Sequence, residues 1–230
     1  MVEAWGEFKD DEDAFVAIIT GAGDRAFCSG ADLSGYLPKV SGTPTYLRRR
    51  AYDGPGFGGF TRGIDVFKPI IAAINGVCFA GRMEIAAAAD IRICADSARF
   101  GCLERRWNVG LGDGGTQRMP RIMGMGNALY YIITGKEFDA EEAMRVGFVN
   151  EIVKGERLMK RGVELAEIIC EFPQGAIRVD KEALIRGVGT PLTEGLRLES
   201  MLFNTLLATR DFHEGPKAFV EKRKPKFDDE

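Results

Sequence analysis

Three short apolar runs organise the first half of the chain. Residues 14–21 (Ala-Phe-Val-Ala-Ile-Ile-Thr-Gly), 68–76 (Lys-Pro-Ile-Ile-Ala-Ala-Ile-Asn-Gly) and 91–94 (Ile-Arg-Ile-Cys) show little polar alternation. Such runs predict strands covered on both faces, as in a parallel sheet. Gly81 to Ala89, between the second and third runs, is small and apolar and predicts a helix packed closely on a sheet. Strand, helix, strand in that order predicts a right-handed parallel crossover. From Gly114 onward the pattern turns helical. Asp139-Ala140-Glu141-Glu142-Ala143 places acids where a helix start favours them. Residues 148–153 predict a brief strand, and 156–171, 174–187 and 192–209 predict successive amphipathic helices. Residues 34–57 are rich in glycine, proline and serine, with a basic cluster at Arg48, Arg49 and Arg50, and predict a mobile surface segment. The whole reads as a repeated β/α core followed by a helical end, without internal sequence repeats.

A chain of 230 residues fits one good-sized core, or one core with a helical appendage. A net charge of −3 gives no reason to expect nucleic acid or an anionic membrane as partner. No stretch is long and apolar enough to span a bilayer, and Met1 to Asp13 is acidic with no apolar signal region. A soluble, cytoplasmic protein is expected. The five cysteines (Cys28, Cys78, Cys94, Cys102, Cys170) form no CxxC pair and are expected to be reduced, mostly core thiols. The only histidine is His213, in the polar run 210–215. A His-rich zinc site is therefore impossible, and a Ser-His-Asp or Cys-His triad would have to place this one residue beside a nucleophile. A solvated residue at a helix start is the expectation for His213, and no metal site is expected. Proton transfer falls to carboxylates, lysine, tyrosine or cysteine.

Three segments carry the candidate chemistry. Ala26-Phe27-Cys28-Ser29-Gly30-Ala31-Asp32-Leu33 follows the first strand and its turn, with small residues that let a ligand approach the main chain. Asn75 to Glu84 is a strand end turning into a helix, whose first amides lack internal partners and carry partial positive charge. Phe100-Gly101-Cys102-Leu103-Glu104, followed by Gly110 to Arg118, places a glutamate after a strand and a glycine-rich turn before a helix.

In this order and spacing the three segments resemble the crotonase (enoyl-CoA hydratase/isomerase) superfamily. So do residues 68–76, Gly-Gly-Thr-Gln-Arg at 114–118, and Ala218-Phe219-Val220-Glu221-Lys222-Arg223. The resemblance runs from about Glu7 to Phe227. It implies an α/β fold: a crotonase-like ββα superhelix core over residues 1–135 and a C-terminal helical region over 136–230 that serves trimerisation. It further implies an oxyanion hole from the backbone amides of Ala31 and Gly81, and two glutamates, Glu84 and Glu104, twenty residues apart, that hold and split a water. Carboxylates in a partly dry pocket suit this work because burial raises their pKa toward neutrality. Glu104 is assigned as proton shuttle to the α-carbon and Glu84 as its water-orienting partner. The structural alternatives are a solvated helix face for Glu84 and pairing with Arg105 and Arg106 for Glu104. For coenzyme A, the resemblance implies main chain around Cys28, Ser29, Gly30, Asp32 and Leu33, and Lys222 and Arg223 on the phosphates; the alternative for the last two is a solvated basic tail. The implied activity is 2-enoyl-CoA hydration, with another crotonase reaction (isomerisation or thioester hydrolysis) or a non-catalytic acyl-CoA-binding subunit as alternatives. No cofactor is implied beyond the coenzyme A of the substrate. The implied assembly is a homotrimer or a dimer of trimers.

The chain departs from the family pattern at four places. Ala80-Gly81-Arg82 replaces a glycine triplet, and Arg82 is expected to pair with Glu84 or another acid and lower its pKa. Cys102-Leu103-Glu104 replaces Gln-Pro-Glu. Asp113 is a third candidate acid, with a helix-cap role as its alternative. Finally, Met1 falls inside what resembles the family's first helix, so the strand pair that usually precedes it is expected to be missing, leaving a sheet edge exposed.

Overall fold

A computed structural model describes residues 1–28 and 54–228; most of the segment predicted to be mobile lies outside them. Helix α1 (Val2–Asp10) turns Trp5 inward, where its ring meets Phe60 at 4.4 Å and its Nε1 donates to the Gly58 carbonyl at 2.7 Å. The last carbonyls of a helix lack internal donors. Here the buried Lys68 ammonium supplies them, donating to the carbonyls of Phe8, at 2.7 Å, and Asp11. Burial lowers the pKa of that lysine.

Two sheets follow. The first contains β1 (Ala17–Thr20), β2 (Ile70–Ile74), β4 (Ile91–Ala95) and β7 (Glu151–Val153), all parallel and side by side in that order. The second contains β3 (Val77–Phe79), β5 (Arg99–Gly101) and β6 (Phe138–Asp139), with β3 and β5 parallel and β6 antiparallel to β5. Helix α2 (Gly81–Ala88) closes the first ββα turn, β2–β3–α2. The second turn repeats β4–β5 and ends in a 3₁₀ turn at Leu103–Trp107. The predicted crossover is thus present, and each pass adds one strand to both sheets.

Every residue of β2 is buried, and the two-residue period divides them. Ile71 and Ala73 pack with Ile93, Ala95 and Leu158 on one face; Ile70, Ala72 and Ile74 join the larger cluster around Phe100, Met119 and Phe148 on the other. Arg92 is buried within β4 because its Nε donates to the Phe148 carbonyl and its Nη1 to that of Ala89, both at 2.6 Å. Burial pulls this guanidinium down to about 10.

The rest is mainly helical: α3 (Gly115–Met123), α4 (Met125–Thr134), α5 (Ala140–Arg145), α6 (Leu158–Cys170), α7 (Gln174–Gly187), α8 (Leu192–Leu206) and α9 (Arg210–Glu221). Asp139 caps α5 by accepting from the Glu142 amide. Strands β6 and β7 follow residue 135 yet pair with β5 and β4, so the sheets draw on chain from both sides of that point. Cys78, Cys94 and Cys102 are buried free thiols, as expected for core cysteines; Cys170, at the end of α6, is exposed instead. His213 lies exposed in the first turn of α9.

Candidate active site

The corner between β2 and β3 fixes the entry to the site. Asn75 Oδ1 accepts from the Gly21 amide at 3.2 Å, and its Nδ2 donates to the carbonyls of Gly21 and Gly23. The chain after β1 is thereby held against β3, with the Phe27 amide donating to the Val77 carbonyl and Ala26 bridging Val77 in parallel. Cys28, half-buried, is the last described residue of that segment. Ser29, Gly30, Ala31, Asp32 and Leu33 lie outside the described residues, so the second amide of the expected oxyanion hole is not placed. The first is: Gly81 opens α2, where helix geometry leaves its N–H without an internal acceptor. Ala80, before it, has φ 57° and ψ −133°, a conformation suited to glycine.

One turn into α2, Glu84 is buried at 2% exposure. Its Oε1 accepts two backbone amides, from Asp113 at 2.8 Å and Gly115 at 2.9 Å. Glycine eases the second approach: a Cβ on Gly115 would lie 3.0 Å from that oxygen, so the glutamate would have to shift to admit one. Burial raises the Glu84 pKa and outweighs the two amides, which favour the charged form; the nearby Asp113 carboxylate adds to the rise. Sequence predicted the opposite direction for a glutamate paired with Arg82, and the net shift is upward.

Glu104 sits in the 3₁₀ turn after β5, 7% exposed. Neither of its carboxylate oxygens has a hydrogen-bond partner among the described residues. Burial raises its pKa and the Glu84 charge raises it further, against its own backbone N–H and Arg105. The alternative of pairing with its two arginine neighbours does not form among the described residues: Arg106 turns away to the Gly135 carbonyl and the Glu137 carboxylate, and Arg105 acts through its charge. The two acids therefore face each other electrostatically but differ in their partners.

Asp113, 5% exposed, is drawn into the same cluster, but not as a helix cap. Gly114 occupies the cap of α3 and receives no side-chain bond. The Asp113 carboxylate instead accepts from Thr61 Oγ1 at 2.8 Å, with Arg62 Nε at 3.4 Å. Arg118, from α3, donates to the carbonyls of Asp113 at 3.0 Å and Thr61 at 2.8 Å. Sequence reading missed Thr61, Arg62 and Arg118 in this role, although Gly-Gly-Thr-Gln-Arg at 114–118 had marked the turn.

At the other end of the chain, Arg223 makes a two-pronged ion pair with Glu214, at 2.5 and 2.8 Å, and a further contact with Glu221; these carboxylates raise its pKa. Lys222 is exposed at the C-cap of α9. A cavity of about 310 Å³ between α7, α8, α9 and the tail is lined by Pro173, Ala176, Leu206, Phe212, Pro216 and Phe227, and none of the candidate residues borders it. Among the described residues no three His, Cys, Asp or Glu side chains gather as metal ligands would, and no helix is long and apolar enough to cross a membrane.

Residues 1–230 match the family model described as enoyl-CoA hydratase/isomerase. The chain is 37% identical over 219 residues to a short-chain-enoyl-CoA hydratase from Clostridium acetobutylicum, covering 95% of this chain and 82% of that protein. It is 36% identical over 228 residues to an (E)-benzylidenesuccinyl-CoA hydratase from Thauera aromatica, covering 99% and 86%. Among solved structures it superposes on an enoyl-CoA hydratase from Bacillus anthracis with a TM-score of 0.86 at 33% identity, covering 99% of this chain and 86% of that one.

Proposed function

Because the chain belongs to the enoyl-CoA hydratase/isomerase family and carries its α/β fold, we propose that it adds water across the 2,3 double bond of an enoyl-CoA thioester. The observation that carries this reading is the pair of buried carboxylates with unequal partners. Glu84 is fixed by two main-chain amides, whereas both oxygens of Glu104 lack partners among the described residues. Two adjacent acids whose surroundings treat them differently can work as base and acid at one pH.

In the proposed reaction the thioester oxygen accepts from the backbone N–H groups of Gly81 and Ala31. Glu84 takes a proton from water as its oxygen bonds to the β-carbon. The electron pair of the double bond moves toward the α-carbon, and the resulting charge is shared with the thioester oxygen. Glu104 then delivers a proton to the α-carbon, and exchange with solvent restores both carboxyl groups. Preorganised donors at such an oxygen contribute about 2.7–4 kcal/mol each.

The test is turnover of purified protein against a panel of 2-enoyl-CoA thioesters, followed by loss of the conjugated chromophore and by mass of the hydrated product. Glu84→Gln and Glu104→Gln should each lower kcat by about 10²–10⁴-fold. A Glu84→Gln variant that keeps most of its activity would replace hydration by single-acid chemistry such as isomerisation.

Coenzyme A phosphates are assigned to Lys222 and Arg223, the latter after exchanging Glu214 for phosphate, and the pantetheine to main chain around Cys28, Ser29, Gly30, Asp32 and Leu33. A homotrimer or dimer of trimers is proposed from the exposed apolar side chains Leu184, Leu192, Met201, Phe219 and Val220 on α7–α9, to be checked by light scattering. Buried free thiols accord with a cytoplasmic location.

A further inference from the structure

We infer that Thr61 and Asp113 form a positioning pair for Glu84: the Asp113 carboxylate, anchored on Thr61, holds the turn whose amides clamp the glutamate. The inference deepens the hydratase reading and rests on it for the role of Glu84. Three bonds tie Asp113 down at three different groups. Its amide donates to Glu84 Oε1, its carboxylate accepts from Thr61 Oγ1, and its carbonyl accepts from Arg118 Nη1. Arg118 closes the ring by donating to the Thr61 carbonyl. Thr61, Asp113 and Glu84 are all buried, at 1%, 5% and 2% exposure, so water does not readily replace a bond that is lost.

The pair acts on Glu84 in two separable ways. Through the Asp113 and Gly115 amides it favours the ionised form, and through its own negative charge it disfavours that form. Among the described residues, Glu104 and Cys102 at the end of β5 and beyond, and Arg118 on α3, are also coupled to the Glu84 charge, and Arg62 lies 3.4 Å from the Asp113 carboxylate. Arg82 is the other charged side chain of α2.

Two substitutions separate these effects by sign. Asp113→Asn keeps an acceptor for the Thr61 hydroxyl and deletes the charge, so Glu84 should titrate at lower pH. Thr61→Val keeps the charge and frees the turn, so Glu84 should titrate at higher pH. The Glu84 carboxyl is read by ¹³C NMR of glutamate-labelled protein, assigned by its absence in Glu84→Gln. The acid limb of the kcat/KM profile for enoyl-CoA hydration should follow the same two directions. Thr61→Val should lower kcat about tenfold, the effect of one buried hydrogen bond, with KM within about twofold, and Thr61→Ser should restore it. If Thr61→Val fails to fold, Arg118→Lys, which weakens the same ring, carries the same expected rise. Shifts of one sign in both variants, or none, would overturn the inference, as would loss of turnover beyond about 10³-fold in Asp113→Asn, the mark of a proton carrier. A wild-type protein that hydrates no enoyl-CoA would overturn the hydratase reading alone, since the NMR titration needs no turnover.

Discussion

Replacing Glu104 by Gln should stabilise the protein at neutral and alkaline pH while lowering the rate of hydration by about 10²–10⁴-fold. The carboxyl is 7% exposed and neither oxygen has a partner among the described residues. Leaving a buried polar group unsatisfied costs about 1–3 kcal/mol, and more when it is charged. The sign follows from proton binding. Burial raises the folded pKa above its unfolded value, so between the two values the native chain holds more protons than the unfolded chain. Stability is then fully present below the unfolded pKa and is lost as pH rises through the folded one. Glutamine is neutral throughout and escapes that loss. Wild type and variant should thus match near pH 4, about where an ordinary glutamate titrates, and diverge above it. By pH 8 the variant should lead by about 1–2 kcal/mol, a rise in Tm of about 2–8 °C for a chain of this size. Urea unfolding of both proteins across that range, compared at equal slope, measures the difference. Because the Glu84 charge contributes to the rise at Glu104, the gain should shrink in a Glu84→Gln background, which a double-mutant cycle reads directly. A variant that is less stable at pH 8, or whose advantage does not depend on pH, would refute the reasoning and show that Glu104 is compensated in the native state.

Ala80→Gly should stabilise the fold by about 0.5–1 kcal/mol in urea unfolding, since it removes an Ala at φ 57° and ψ −133° and returns part of the gain as chain entropy. Gly21→Ala should cost about 2 kcal/mol or more, because the new Cβ would lie 2.0 Å from the Ala26 carbonyl oxygen and 2.8 Å from Asn75 Oδ1. Lys68→Met should leave the Phe8 carbonyl without its donor, take one of two donors from the Asp11 carbonyl, which keeps the Ala14 amide, and let α1 fray. Faster hydrogen exchange at Glu7–Asp11, and a red-shifted emission of Trp5 recorded in a Trp107→Phe background, would report it.

The inner strands of the first sheet, β2 and β4, were legible because both of their faces are covered, which removes polar alternation from the sequence. Ile70–Ile74 shows this most plainly, being buried throughout. Arg92, a charge in the middle of such a run, reads as a contradiction until the carbonyls of Phe148 and Ala89 are seen to receive it. Of the second sheet only β5, the strand read before Glu104, was legible. The strands of that sheet have two or three residues each, too few for any period to show, and β3 reads as the tail of β2. What separates them is the corner at Asn75-Gly76, held by bonds to Gly21 and Gly23 more than fifty residues earlier. No local pattern records a bond of that span.

The same distinction explains the site. Gly81 and Glu84 were named through the family resemblance, carried by the local motif from Asn75 to Glu84, whereas Gly115, whose amide meets Glu84, was marked only as part of the 114–118 turn. Asp113 was open to two readings because its deciding partner, Thr61, stands 52 residues upstream. Glu104 was open for a different reason: Arg105 and Arg106 adjoin it in sequence, but a 3₁₀ turn sends successive side chains to different sides, and Arg106 finds Glu137. Opposite charges next to each other in a chain are therefore weak evidence of an ion pair, and a glutamate followed by two arginines can still be buried with no hydrogen-bond partner among the described residues. In the proposed mechanism that isolation is useful. A carboxylate tied to an arginine would give up its proton too readily to serve as the acid, whereas burial and the neighbouring Glu84 charge keep Glu104 protonated longer, beside a partner whose upward shift two amides partly offset.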